Sequence, residues 1–161
     1  MKKIAFLLVL ILVMMSCASN SQRLQESTGG GSMLNFSDVI GKEMKLITVF
    51  VSGGDINFKR DTLPEPLANA FTLKFDDRIA GGMAAPNRYT APYTLGENQS
   101  ITIGLMATTL MASFIEPENL NEQTFIGFMQ NAYAWTIENN NLVLLCKNAE
   151  GYEVRMVYAF N

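Results

Sequence analysis

From Met33 onward, apolar and polar residues alternate with a period of two, the pattern of strands that bury one face. Phe71, Leu73 and Phe75 alternate with Thr72 and Lys74. Tyr89, Ala91, Tyr93 and Leu95 alternate with Thr90, Pro92 and Thr94, and Ile101, Ile103 and Leu105 with Thr102 and Gly104. Residues 44–51 are more uniformly apolar and predict another strand, while 107–114 carry enough β-branched content to continue the sheet. Turn signals separate these runs at Gly53-Gly54-Asp55, Asp76-Asp77, Pro86-Asn87 and Gly96-Glu97-Asn98. Short strands at this spacing build a meander, a sandwich or a barrel.

The period changes once. Asn119 followed by Glu122 resembles a capping box, and Phe125, Phe128, Met129 and Ala132 then recur at helical spacing, which predicts a short amphipathic helix over about 120–131. Gly127 weakens that helix by about 1 kcal/mol relative to Ala, so its aromatic face must hold it by packing. Strand signals return at 132–137, with Tyr133, Trp135 and Ile137 on one face, then at 142–146, then with Tyr152, Val154, Met156 and Tyr158. Three consecutive strands with short links pair with one another. The reading is one mainly β domain over 33–161, an antiparallel barrel-like sheet with one helix.

The N-terminus has a different character. Met1-Lys2-Lys3 precedes an unbroken apolar run from Ile4 to Met15, then Ser16-Cys17, the order of a secretory signal peptide. Such a run is shorter than the roughly 20 residues that span a bilayer. Met14 to Cys17 resembles the bacterial lipobox, with Met14 in place of the usual Leu. That resemblance implies a signal peptide over 1–16, cleavage before Cys17 and a diacylglycerol thioether on Cys17, so that acyl chains are the expected membrane partner. Ala18 lacks the inner-membrane retention signal that Asp provides there in enteric bacteria, which points to the outer membrane, facing the periplasm. Residues 17–32 read as a lipidated flexible tether, for only Ala18 and Leu24 are apolar from Ala18 to Ser32, and Gly29, Gly30 and Gly31 lack the Lys-Ser/Thr of a phosphate loop. As a coil the tether reaches on the order of 20 Å.

Charge and composition narrow the chemistry. The chain has 12 basic and 15 acidic residues and no His. Without Lys2 and Lys3 the acidic excess grows further, which argues against nucleic acid as a partner. The lack of His removes most zinc sites and every Ser-His or Cys-His relay. Once Cys17 is acylated Cys146 has no disulfide partner, and its alternation with Leu142 and Leu144 marks it as a small buried hydrophobe. The Met residues, among them Met83, Met106, Met111, Met129 and Met156, sit on faces filled by Leu and Phe and read as core rather than as Cu(I) ligands. Asp76-Asp77 reads as a turn, and Glu116 and Glu118 as the acidic approach to a helix.

The ordered set of motifs resembles the META domain, the HslJ-like family. Its carriers are Asn87-Arg88-Tyr89 followed by Tyr93, then Ile101-Thr102-Ile103, then Thr108-Thr109-Leu110-Met111-Ala112-Ser113, then Glu122 with Phe125, and finally Leu142-Val143-Leu144 with Gly151. The resemblance implies a compact antiparallel β-barrel related in topology to the lipocalins, and small envelope proteins, often lipidated and associated with stress, with no established catalysis. Ser113 stands where the family usually has Cys, which removes the basis for a redox role there.

Two expectations concern function. The first is a non-enzymatic interaction or stress-protective module at the envelope, without a cofactor and with an envelope protein as partner. Asn87, Arg88, Tyr89, Thr109 and Met111 are its candidate interaction or family-motif residues, Met111 doubling as a core residue, Asn87 tying down the loop that runs from Gly81-Gly82 to Tyr89 and Arg88 pairing with an acid. The alternative is a barrel that binds a small hydrophobic ligand. Phe71, Phe75, Tyr93, Trp135 and Tyr158 are the expected inward residues, and rings of that size fill a small barrel, which favours the first.

Overall fold

The computed structural model describes residues 35–59, 65, 67–112 and 117–160; Cys17, the tether and Ser113 lie outside them. The strands are β1 (Glu43–Phe50), β2 (Ile56–Asn57), β3 (Thr72–Asp76), β4 (Ile79–Met83), β5 (Arg88–Leu95), β6 (Ile101–Ile103), β7 (Ala107–Thr108), β8 (Ala134–Glu138), β9 (Asn141–Lys147) and β10 (Glu153–Phe160), with one helix, α1 (Glu122–Gln130), between β7 and β8. The main path runs β6-β5-β4-β3-β1-β10-β9-β8, while β2 pairs with β1 and β7 with β5. Every ladder between these strands is antiparallel. At the two ends of the path the Ile101 N–H donates to the Tyr133 carbonyl at 3.1 Å and the Trp135 N–H to the Gln99 carbonyl at 2.9 Å. The sheet is thereby a nearly closed barrel, and closure removes the exposed edges that invite aggregation.

Alternation in the sequence becomes inside and outside in the barrel. Tyr89, Ala91 and Tyr93 of β5 are buried and so are Val154, Met156 and Tyr158 of β10. The uniformly apolar first strand has a specific cause. Leu46 lies opposite Tyr158 but Thr48 lies opposite Val157, so Ile47 is an extra residue in a β-bulge. The phase shifts by one there, which is why Met44, Leu46 and then Val49 are the fully buried positions.

Aromatic rings fill both ends of the barrel. At one end Phe36 touches Phe75 and Trp135 with ring centroids 4.9 Å apart, and Phe75 touches Tyr93 at 4.8 Å. At the other, Phe71 meets Phe125 of α1 at 4.9 Å and Phe58 at 5.6 Å, and Tyr89 meets Phe125 at 5.6 Å. The helix thus closes one mouth through Phe125, and the short 3-10 turn Phe36–Asp38 closes the opposite mouth through Phe36. Of the expected inward residues, Phe71, Phe75, Tyr93 and Tyr158 are buried and Trp135 is half-buried.

Four local expectations are corrected. The strand expected over 107–114 stops at Thr108: the Thr109 N–H still donates to the Arg88 carbonyl of β5, but the Met111 N–H beyond it bonds to the Asn87 side chain rather than to a neighbouring strand. Leu105 does not face inward but is 89% exposed. The ladder ends at Gly104, which abuts Pro92 so closely that a Cβ there would lie 2.9 Å from the Pro92 Cγ, and the chain turns outward. The helix is capped by Asn121, whose side chain accepts the Thr124 N–H at 2.8 Å, and not by Asn119. Finally, Gly81 and Gly82 belong to β4 rather than to a loop.

Candidate functional site

The chain between β4 and β5 is a four-residue turn in which the Ala84 N–H donates to the Asn87 carbonyl at 2.6 Å. The turn places the Asn87 side chain, only 3% exposed, against two other segments. Its Oδ1 accepts the Thr109 hydroxyl at 2.7 Å and the Met111 N–H at 2.8 Å. Its Nδ2 donates to the Met111 carbonyl at 2.9 Å and to Glu122 Oε2 at 2.8 Å, while its own backbone N–H donates to Glu122 Oε1 at 3.0 Å. The amide's two N–H groups and two lone pairs are all used. One asparagine thus ties the turn, the segment after β7 and the first turn of α1 into a single knot.

Two further bonds tighten it. The Arg88 N–H donates to the Thr109 hydroxyl at 3.1 Å, and the Thr109 N–H returns a bond to the Arg88 carbonyl at 3.1 Å. Next along β5, Tyr89 is buried and its hydroxyl donates to the Thr72 carbonyl at 2.7 Å, while the Met83 N–H donates to the Thr72 hydroxyl at 2.9 Å. Burial in apolar surroundings pushes the Tyr89 hydroxyl far above the ordinary tyrosine value, so this group donates one structural bond and carries no charge.

The candidates of the sequence therefore separate. Asn87, Tyr89 and Thr109 are brought together, with their polar groups spent on the protein's own backbone and on Glu122. Glu122 is the member that the pattern did not reveal as a partner, since its spacing from Asn119 read as a local cap. Arg88 projects outward. The ion pairs among the described residues join Lys74 to Asp76 and Arg155 to Glu138, so the acid expected beside Arg88 is absent from them. Met111 overturns its expected core role. Its backbone is held by Asn87, but the residue is 54% exposed, so the side chain leaves the core while the main chain stays pinned. Met111→Ala should accordingly change the unfolding free energy by no more than about 0.5 kcal/mol, measured by urea titration.

An open groove of about 750 Å³ lies beside the knot, lined by Met106, Leu110, Met111, Glu122, Ile126 and Gln130 among others. Among the described residues no cluster of His, Cys, Asp and Glu could hold a metal ion.

Cys146 is fully buried on β9, and burial pushes its thiol from the ordinary 9.0 up to about 12. The folded-state value lies above the unfolded one. Its contribution to stability is therefore complete below about pH 9 and is lost as the pH rises toward 12. In a Cys17→Ala background, the thiolate ultraviolet absorbance of the folded chain should stay flat through the range in which the denatured chain titrates.

The class that these features define is a small, ring-filled antiparallel barrel closed by one helix, with a polar knot at the helix end. The META domain model matches residues 38–158, most of the chain, and the chain belongs to the META domain family. Among solved structures, a protein from Burkholderia xenovorans determined by NMR is similar at 16% identity and a TM-score of 0.56, with 81% of this chain and 91% of that one covered. A crystal structure of a DUF4847 family protein from Bacteroides vulgatus is similar at 15% identity and a TM-score of 0.51, covering 78% and 96%. At these identities the likeness is one of fold. No curated protein matches.

Proposed function

We propose that this chain is an envelope protein, anchored through acyl chains on Cys17, whose META domain acts as a non-enzymatic interaction or stress-protective module. The observation that carries the reading is the use made of Asn87. The family-like residues Asn87, Tyr89 and Thr109, the interaction candidates of the sequence, spend their polar groups on one another, on Glu122 and on the backbone, although Asn87 and Thr109 border the open groove. Their arrangement serves rigidity, and a rigid barrel with exposed connections is a scaffold for contact.

The location follows from the N-terminal sequence. A charged start, a short apolar run and a Cys at its end are what an exported, lipidated chain requires, and Ala18 fits an outer-membrane protein facing the periplasm. Among the described residues no helix is long and apolar enough to cross a membrane. Metabolic labelling with a fatty-acid analogue should mark the wild-type chain and leave Cys17→Ala unmarked; a labelled alanine variant would overturn the anchor. Native mass spectrometry of the mature chain should return the acylated polypeptide mass alone. A further lipid retained in stoichiometric amount would instead favour the barrel as a ligand carrier.

A further inference from the structure

The segment that follows β6 turns its apolar side chains to solvent, Met106 excepted, which packs against the core. Leu105 is 89% exposed, Leu110 is 97% exposed and Met111 is 54% exposed, and every other residue from Ala107 to Ala112 is exposed as well. No Asp, Glu, Lys or Arg occurs from Asn98 to Ile115, the longest charge-free run after Arg23. Leu110 and Met111 stand at the rim of the open groove, and exposure this complete means that Leu105 and Leu110 project into solvent rather than packing into it. The backbone beneath them is nevertheless fixed, by the pairing of β7 with β5 and by the Asn87 bonds to Met111. Isolated surface leucines are ordinary; a pinned strip of uncharged residues that projects its leucines is a contact surface.

We propose that the strip of residues 105–112 rests on the bilayer that holds the anchor, with Leu105, Leu110 and Met111 entering the lipid interface. The inference rests on the acylation of Cys17. Three observations select a bilayer as the occupant. The tether from Ala18 to Ser32 reaches on the order of 20 Å, so the domain is never far from lipid and the cost of bringing the surfaces together is already met by the anchor. The chain without its first residues is acidic and is repelled by anionic headgroups, whereas this strip carries no charge, and Arg88, whose backbone bonds to Thr109, adds an outward cation free of the ion pairs among the described residues. Three projecting side chains also expose far less than the roughly 800 Å² per partner that a stable protein interface requires. A bilayer asks for neither that area nor a matching shape.

The test places one environment-sensitive fluorophore on the acylated full chain. Cys17 is blocked by its acyl group and Cys146 is buried, so Leu110→Cys offers a single reactive thiol, and Tyr152→Cys, at another exposed position, serves as the control. Both labelled chains are reconstituted on vesicles of phosphatidylethanolamine and phosphatidylglycerol containing headgroup-region nitroxide lipids. The label at position 110 should shift its emission to the blue and be quenched several-fold more strongly than the label at position 152. A label at position 110 that keeps the emission and quenching it shows in water overturns the docking. Mass spectrometry of the same samples reports acylation separately, so a chain that lacks acyl groups overturns the anchor whatever the fluorophore shows.

Discussion

Asn87→Asp is expected to destabilise the domain by about 3 kcal/mol or more, although it changes one atom and no shape. The substitution removes the two N–H donors that reach Glu122 and Met111, and sets a carboxylate against both the Glu122 carboxylate and the Met111 carbonyl. A buried acceptor left without its donor costs about 1–3 kcal/mol, and an uncompensated charge adds to it. Glu122→Gln, combined with Asn87→Asp, should recover part of the loss, because the new amide can donate where the carboxylate could not. The single variant should also regain stability on acidification: apposed carboxyls share a proton more readily when folded, so the folded-state value is raised and the deficit shrinks as the pH falls below it. Chemical denaturation of the four chains at two pH values measures both effects. A purely additive double-mutant cycle would show that Asn87 and Glu122 do not act together.

Gly82→Ala should be the most damaging single methyl in the barrel. A Cβ at Gly82 would sit 2.1 Å from the Thr72 carbonyl oxygen and 3.1 Å from the Tyr89 hydroxyl, the two atoms that share a hydrogen bond across the barrel wall. A backbone carbonyl cannot rotate aside as a side chain can, so the cost lies at or beyond the upper end of overpacking, about 3 kcal/mol or more. Gly127→Ala is the opposing case. That site in α1 has nothing within 4 Å of an added Cβ, and alanine there should raise stability by about 0.5–1 kcal/mol through helix propensity. Thermal unfolding of the two variants should move the midpoint in opposite directions.

The parts of the fold that could be read in advance were those set by periodicity. Phe71 to Phe75, Tyr89 to Tyr93 and Val154 to Tyr158 alternate because one side of each strand faces the rings inside, and that constraint is written locally. What escaped depends on residues far apart in the chain. The bulge at Ile47 becomes visible only when β1 lies beside β10. Thr109 and Met111 resemble strand residues by composition, yet the partner that fixes them is the side chain of Asn87, on another loop. Glu122 had a plausible local role three residues after Asn119, and the real cap, Asn121, left its carboxylate available to Asn87. Phe36 stops one mouth of the barrel from a 3-10 turn, a element too short to carry a periodic signal.

The pairing of β1 with β10 joins the earliest long strand of the described chain to the latest, and β1 lies between β3 and β10 in the sheet. A polypeptide that emerges N-terminus first from a ribosome must therefore carry β1, with Met44, Leu46 and Val49 uncovered on its inner face, until β10 arrives to complete the ladder. Such a sequence separation makes the final closure slow relative to local hairpins, since the entropy of a long loop must be lost before the contact repays it. During that interval the β3-β4-β5 meander can form, but the barrel cannot. The half-made sheet then presents both an open edge and an apolar face, and it is the stage at which a holding chaperone has most to protect.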